Sequence, residues 1–242
     1  MENTESTPKS MNAFNRVINI FASPREVFES IDQKPTWLVP FIISMVLVII
    51  MMVLTADIQQ SDRVAYMEAR GMTQEQIDAA SATQATAVKY IGPVVAVVMI
   101  LIIWLIIAGL VLMAANMIIG GESPGFKKVF SIIAWSSVVG SLGTILITFL
   151  AISKGSMIGV GTDLSILLPA VPLGESKPFL NRLLARFDLF VFWQMVLWII
   201  GLSVLYKTTF QKALIPILTL WIIWVVAAVG LGSVLGNFIP GM

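Results

Sequence analysis

The stretch Ile91–Ile119, IGPVVAVVMILIIWLIIAGLVLMAANMII, decides the fold. It carries no charged side chain, and Asn116 is its only amide. A helix needs about 20 mostly apolar residues to cross the hydrocarbon of a bilayer. It is the one open-ended structure that satisfies its own backbone polar groups there. Four further apolar runs lie on either side of this one, so the expected crossings are about 36–56, 91–119, 129–152, 187–206 and 214–235. The sequence therefore predicts an all-α fold, a polytopic transmembrane helix bundle with five crossings.

Composition agrees, with 57% hydrophobic and 12% charged residues among 242, about half the charged share of a soluble domain. Cysteine and histidine are absent. That excludes disulfides, thiol chemistry, zinc sites with Cys or His ligands and any Ser-His-Asp triad. A net charge of +1 gives no field to gather nucleic acid. No enzyme activity and no cofactor are expected, and the expected partners are membrane lipids and other membrane proteins or further copies of this chain. The residues before Trp37 lack a basic region leading into a short apolar core, so no cleavable signal peptide is expected.

Odd crossings put the termini on opposite sides. With the N-terminus inside, the loops Gly120–Lys128 and Lys207–Ala213 are short and lysine-bearing, with Glu122 their only acid. The other segments are longer and hold most of the acids. Positive residues favour the cytoplasm in short loops, so the N-terminus is expected inside and the C-terminus outside.

Ahead of the first crossing, Val17, Ile20, Phe21, Pro24, Val27, Phe28 and Ile31 fall on one helical stripe. Ser23-Pro24-Arg25-Glu26 has the form of a capping box with proline at the first helical position. The expectation is an amphipathic N-terminal interfacial helix, at the inner surface or packed under the bundle. Between the first two crossings, Gly71 and Thr73-Gln74-Glu75-Gln76 predict a helix stop and a second capping box. Asp57, Asp62, Glu68, Glu75 and Asp78 in this segment lack the spacing of a calcium loop. After Pro178, Leu180, Leu183, Leu184 and Phe187 predict one helix that runs into the fourth crossing.

Polar groups within apolar helices raise functional hypotheses. Asn116, Asp188 and Gln194 are the candidate intramembrane polar residues, and Asp188 stands where a helix N-terminus favours negative charge. Ser136, Gly140 and Thr144, and likewise Ala228, Gly232 and Gly236, recur at four-residue spacing. They are the candidate helix-packing or association residues, since small side chains let backbones approach. No catalytic, cofactor-binding or metal site is expected. An alternative to association is a small transporter or channel with a polar path near Asp188, Gln194 and Asn116.

Three places carry a family resemblance: Phe21–Phe28 with Pro35-Thr36-Trp37; Gly120-Gly121, Phe126 and Ala134–Ser137; and Asp188–Gln194 with Gly201-Leu202. In order and spacing they resemble the Yip family, the Ypt/Rab-interacting integral membrane proteins with five crossings, over roughly 14–240. The first residues lack apolar periodicity, so a disordered tail is expected at 1–13. The resemblance implies a Yip-like membrane domain at 14–242, a cytosolic N-terminus and no catalytic residues. Eukaryotic members are implicated in Rab GTPase binding and vesicle traffic. This chain lacks the long cytosolic N-terminal region of that branch, which counts against Rab-type GTPase binding. It is placed instead with the bacterial-type members, in the cell inner membrane.

Overall fold

The structure, a computed structural model, describes residues 11–86 and 91–235. Among the described residues it is all-helical: α1 (Ala13–Ala22), α2 (Pro24–Gln33), α3 (Leu38–Leu54), α4 (Ala56–Ala69), α5 (Gln74–Thr86), α6 (Gly92–Ile118), α7 (Phe126–Lys154), α8 (Phe179–Leu184), α9 (Leu189–Leu205) and α10 (Phe210–Leu235). Three of them, α6, α7 and α10 over Phe210–Gly230, are long and apolar enough to cross a membrane. There are four if α3 and α4, bent by 59° at their junction, count as one span. The apolar helix α9 has 17 residues.

The N-terminal stripe is two helices rather than one. They meet at Ser23, whose backbone (φ −140°, ψ 61°) belongs to neither, and whose N–H donates to Asn19 O as the close of α1. The expected capping bond from the Ser23 hydroxyl is not made. Pro24 at the first position of α2 explains the break, because a proline ring pushes the preceding residue out of helical geometry.

The chain divides into two compact units. One comprises the described residues up to Ser44, with Leu101–Gly140 and Trp193–Trp221. Its core is built from Ile20, Val27, Phe28, Ile31, Ile132, Ile133, Trp135, Leu197 and Leu202, all at most 2% exposed. Beside it, Trp37 and Trp104 each meet Phe41 and Phe130 edge-to-face, with centroids 5.5–6.5 Å apart. Edge-to-face pairs favour one mutual orientation beyond area burial alone. Helices α7 and α9 touch where Gly201 has no side chain: a Cβ there would stand 2.7 Å from Ile132.

The second unit takes in Met45–Ile100, Ser141–Phe192 and the chain from Ile222. Here α4 and α5 form a polar hairpin, parted at Gly71 (φ +74°), where the helix stop was expected. Thr73 N–H donates to Gln76 Oε1 at 2.9 Å, and Gln76 N–H to Thr73 Oγ1 at 3.4 Å, a reciprocal capping box. The bend before α4 is tied down by Asp62, which accepts from Ser156 Oγ (2.7 Å) and Met157 N–H (2.6 Å) beyond the end of α7. A second close approach of α7 and α9 occurs at Gly143, where a Cβ would lie 2.7 Å from Phe190.

The expected continuous helix through Phe187 is interrupted. Helix α8 ends at Leu184, and Asp163 and Asp188 form an isolated antiparallel bridge. Leu164 N–H donates to Phe187 O at 3.1 Å, and α9 starts afresh at Leu189. Asp188 is responsible, because a carboxylate that accepts from the next helix's amides competes with helical backbone at its own position.

Candidate functional site

Arg16 is the most unusual side chain of the first unit. Asn12 caps α1 by accepting from Asn15 N–H at 2.8 Å. The helix then turns Arg16 and Ile20 inward, and Arg16 is only 3% exposed. Its guanidinium donates to Thr36 Oγ1 (2.6 Å), Ser30 Oγ (2.7 Å), Ser30 O (3.1 Å) and Lys34 O (3.3 Å). Its Cζ stands 5.8 Å from the centroid of Trp135, whose indole N–H donates to Thr36 O at 2.7 Å. No carboxylate is ion-paired with it among the described residues. Taking a cation out of water is costly unless hydrogen bonds replace its hydration. Here two hydroxyls, two carbonyls and a ring face do so, while Nε is left without a partner. Burial pushes the guanidinium's pKa down from its ordinary value, yet arginine keeps its proton in proteins. The site is suited to holding α1 against α2, the α2–α3 link and α7, and unsuited to proton transfer.

The apolar stripe read ahead of the first crossing begins at Val17 and leaves Arg16 out. Its i+4 neighbour Ile20 on the buried face was the available signal. The acceptors that make burial tolerable are 14 to 20 residues away and were invisible to periodicity.

On the same unit, a cleft of 480 Å³ is lined by Arg25, Glu29, Asp32, Ser203, Lys207 and Thr208 among others. Arg25 pairs with Glu29 at 3.0 Å, and Lys128 pairs with Asp32. Lys207 takes φ +48°, with its N–H on Val204 O (3.2 Å) and Thr208 N–H on Ser203 O (2.9 Å). This is the Schellman closure of α9, with lysine where glycine is usual. Charges of both signs alternate around the cleft, which gives it no strong preference for an ion of either kind.

The candidate residues fall in several settings. Ser136 is fully buried and its Oγ has no hydrogen-bond partner. Gly140 and Gln194 are brought together: a Cβ at Gly140 would collide with Gln194 Nε2. Thr144 is exposed, Ala228 half-buried, Gly232 lies within α10, and Gly236 lies outside the described residues. Asn116 is exposed and accepts from Tyr206 Oη at 2.6 Å. Asp188 is the N-cap of α9, with Oδ1 accepting from Phe190 N–H (2.8 Å) and Val191 N–H (3.0 Å) and Oδ2 from Thr162 Oγ1. Arg186, two residues before Asp188, places its Cζ 5.0 Å from the centroid of Trp224. No group of three metal-ligating side chains occurs among the described residues.

A family model described as the Yip1 domain matches residues 18–232. The chain belongs to the Yip1 domain family. With its long apolar helices, this Yip1-domain chain is a multi-pass membrane protein. The matched range contains α2 to α9 whole and nearly all of α10, and it begins two residues after Arg16. No curated protein and no solved structure matches the chain.

Proposed function

We propose that this Yip1-domain protein works by association within the membrane, with lipids and with other membrane proteins or copies of itself, and without catalysis. In this reading it crosses five times, at about 36–56, 91–119, 129–152, 187–206 and 214–235. The N-terminus is cytoplasmic, the C-terminus outside, and the N-terminal helix interfacial. The membrane is the inner membrane of a bacterial-type cell. The α9 crossing becomes long enough once the cap and the closing turn are added. Residues 187–206 make a path of about 30 Å at 1.5 Å per residue, which is one hydrocarbon thickness.

The observation that carries the reading is a contrast among glycines. Gly140, Gly143 and Gly201 are filled by side chains of the chain itself. Gly230 on α10 has nothing within 4 Å of where its Cβ would be. With exposed Ala227 three residues before it on the same side, Gly230 leaves α10 with small residues and open space, where a foreign backbone can come close. Asp188, by contrast, is committed to two amides and Thr162, which is why a polar path through it is not the reading taken.

The test is crosslinking in native membranes followed by mass spectrometry, paired with flux assays on proteoliposomes. Expected are a recurring partner or self-crosslinks that involve α10, and no saturable ion or solute flux. Saturable flux that Asp188→Asn abolishes would sink the association reading and restore a transporter.

A further inference from the structure

We propose that α1 is half-sunk in the inner leaflet, with Phe14, Ile18 and Phe21 facing acyl chains, Asn15 and Asn19 facing headgroups, and Arg16 and Ile20 clasped to the protein. The proposal rests on the interfacial placement of the N-terminal helix taken above, and adds to it a facing, a depth and a partner. The steps of four and three place Phe14, Ile18 and Phe21 within one narrow face at 100° per residue. They are 71%, 51% and 37% exposed. Arg16 and Ile20 occupy nearly the opposite side and are buried. Asn15 and Asn19 take the third side, where Asn19 Nδ2 donates to Asn15 O at 2.8 Å.

Two observations name lipid as the occupant of the apolar face. The first is continuity. Phe21 meets Trp193 of α9 edge-on, with centroids 5.9 Å apart, and Trp193 and Val196 are themselves exposed apolar side chains of that helix. The face of α1 thus continues the apolar surface that a membrane helix turns outward. The second is depth. The Arg16 guanidinium lies over Trp135, nine residues past Phe126 at the start of α7. At 1.5 Å per residue that is about 13 Å along a spanning helix, more than the thickness of one headgroup layer. A cation at that level is tolerable only when screened from lipid and hydrogen-bonded within the protein, as the two terminal nitrogens of Arg16 are. The Arg16 cluster meets both conditions with neutral partners, so a helix carrying this arginine can sit so deep.

The chain has no cysteine, so Phe14→Cys, Ile18→Cys, Phe21→Cys and Asn15→Cys can each be labelled with one fluorophore in the full-length protein. All four sites are exposed, and monodisperse elution qualifies each labelled variant. The proteins are reconstituted in phosphatidylcholine–phosphatidylglycerol vesicles with or without bromines midway along the acyl chains, and titrated with aqueous iodide. Labels at 14, 18 and 21 are expected to be quenched about threefold more by brominated lipid than by iodide, and the label at 15 the reverse, as for a helix whose apolar face is buried about 5–10 Å into the boundary between headgroups and acyl chains. Iodide quenching at all four sites would overturn both the embedding and the interfacial placement. Shielding of 14, 18 and 21 from both quenchers would mean that protein covers this face, which overturns the lipid assignment and leaves the association reading standing.

Discussion

Arg16 illustrates how a cation can be kept inside a protein without an acid to balance it. The guanidinium fork reaches Thr36, Ser30 and Lys34 at once, which the single ammonium of a lysine cannot do from the same position. Arg16→Lys is therefore expected to lose about 1.5–3 kcal/mol for each charge-assisted bond it fails to remake. Thermal unfolding in detergent measures this. Arg16→Met, which keeps the bulk and drops the charge, should also be less stable, since it takes the donor away from the Lys34 carbonyl and the Thr36 hydroxyl. If it matched the wild type, the hydrogen bonds around Arg16 would contribute nothing net. Nothing near Arg16 in sequence announces this role. Trp135 comes 119 residues later, and only the folded chain sets the two together.

At the scale of elements, apolar length was a good guide to which helices exist and a poorer one to where they stop. The runs read as beginning at 129 and 214 start in the structure at Phe126 and Phe210. Lys127, Lys128, Gln211 and Lys212 interrupt the greasy pattern, but these four are exposed or, for Lys128, half-buried and paired with Asp32, and helical hydrogen bonds do not require them to be apolar. The Thr73 box was legible because all its partners are local. The Ser23 box was not made, because Pro24 and the turn between α1 and α2 govern that residue. Likewise Asp188 split a stripe that looked continuous from Leu180. Of the candidate residues, the contact of Gly140 with Gln194 depends on the α7–α9 register, which spacing alone does not specify. That register yields a graded expectation for three Gly→Ala changes. Gly201→Ala drives a methyl into the branched body of Ile132 and should cost about 1–3 kcal/mol by overpacking. Gly140→Ala should cost less, since only the mobile end of Gln194 has to swing away. Gly230→Ala meets no obstacle and should gain up to about 1 kcal/mol from helix propensity. Unfolding in detergent ranks them, and an order with Gly140→Ala worst would refute the α7–α9 register.

For the molecule as a whole, the number of crossings determines where its ends lie. Three or four helices pass on length and composition, and α9 supplies the fifth crossing only if its cap and closing turn lie within the membrane. Reporters that fluoresce only in the cytoplasm and enzymes active only outside, fused in turn to each terminus, decide the matter. The expected result is an N-terminal fusion active inside and a C-terminal fusion active outside. Matching signals at both ends would remove α9 or the α3–α4 pair from the crossings. The tie that fastens the bend after Thr55 also carries a schedule. Asp62 is joined to Ser156, 94 residues further along. A ribosome lays down the bend and the whole polar hairpin long before it reaches that serine. Until α7 has been translated, the clasp has nothing to close on, so the far end of the earliest apolar helix takes its final angle only after a later one is delivered.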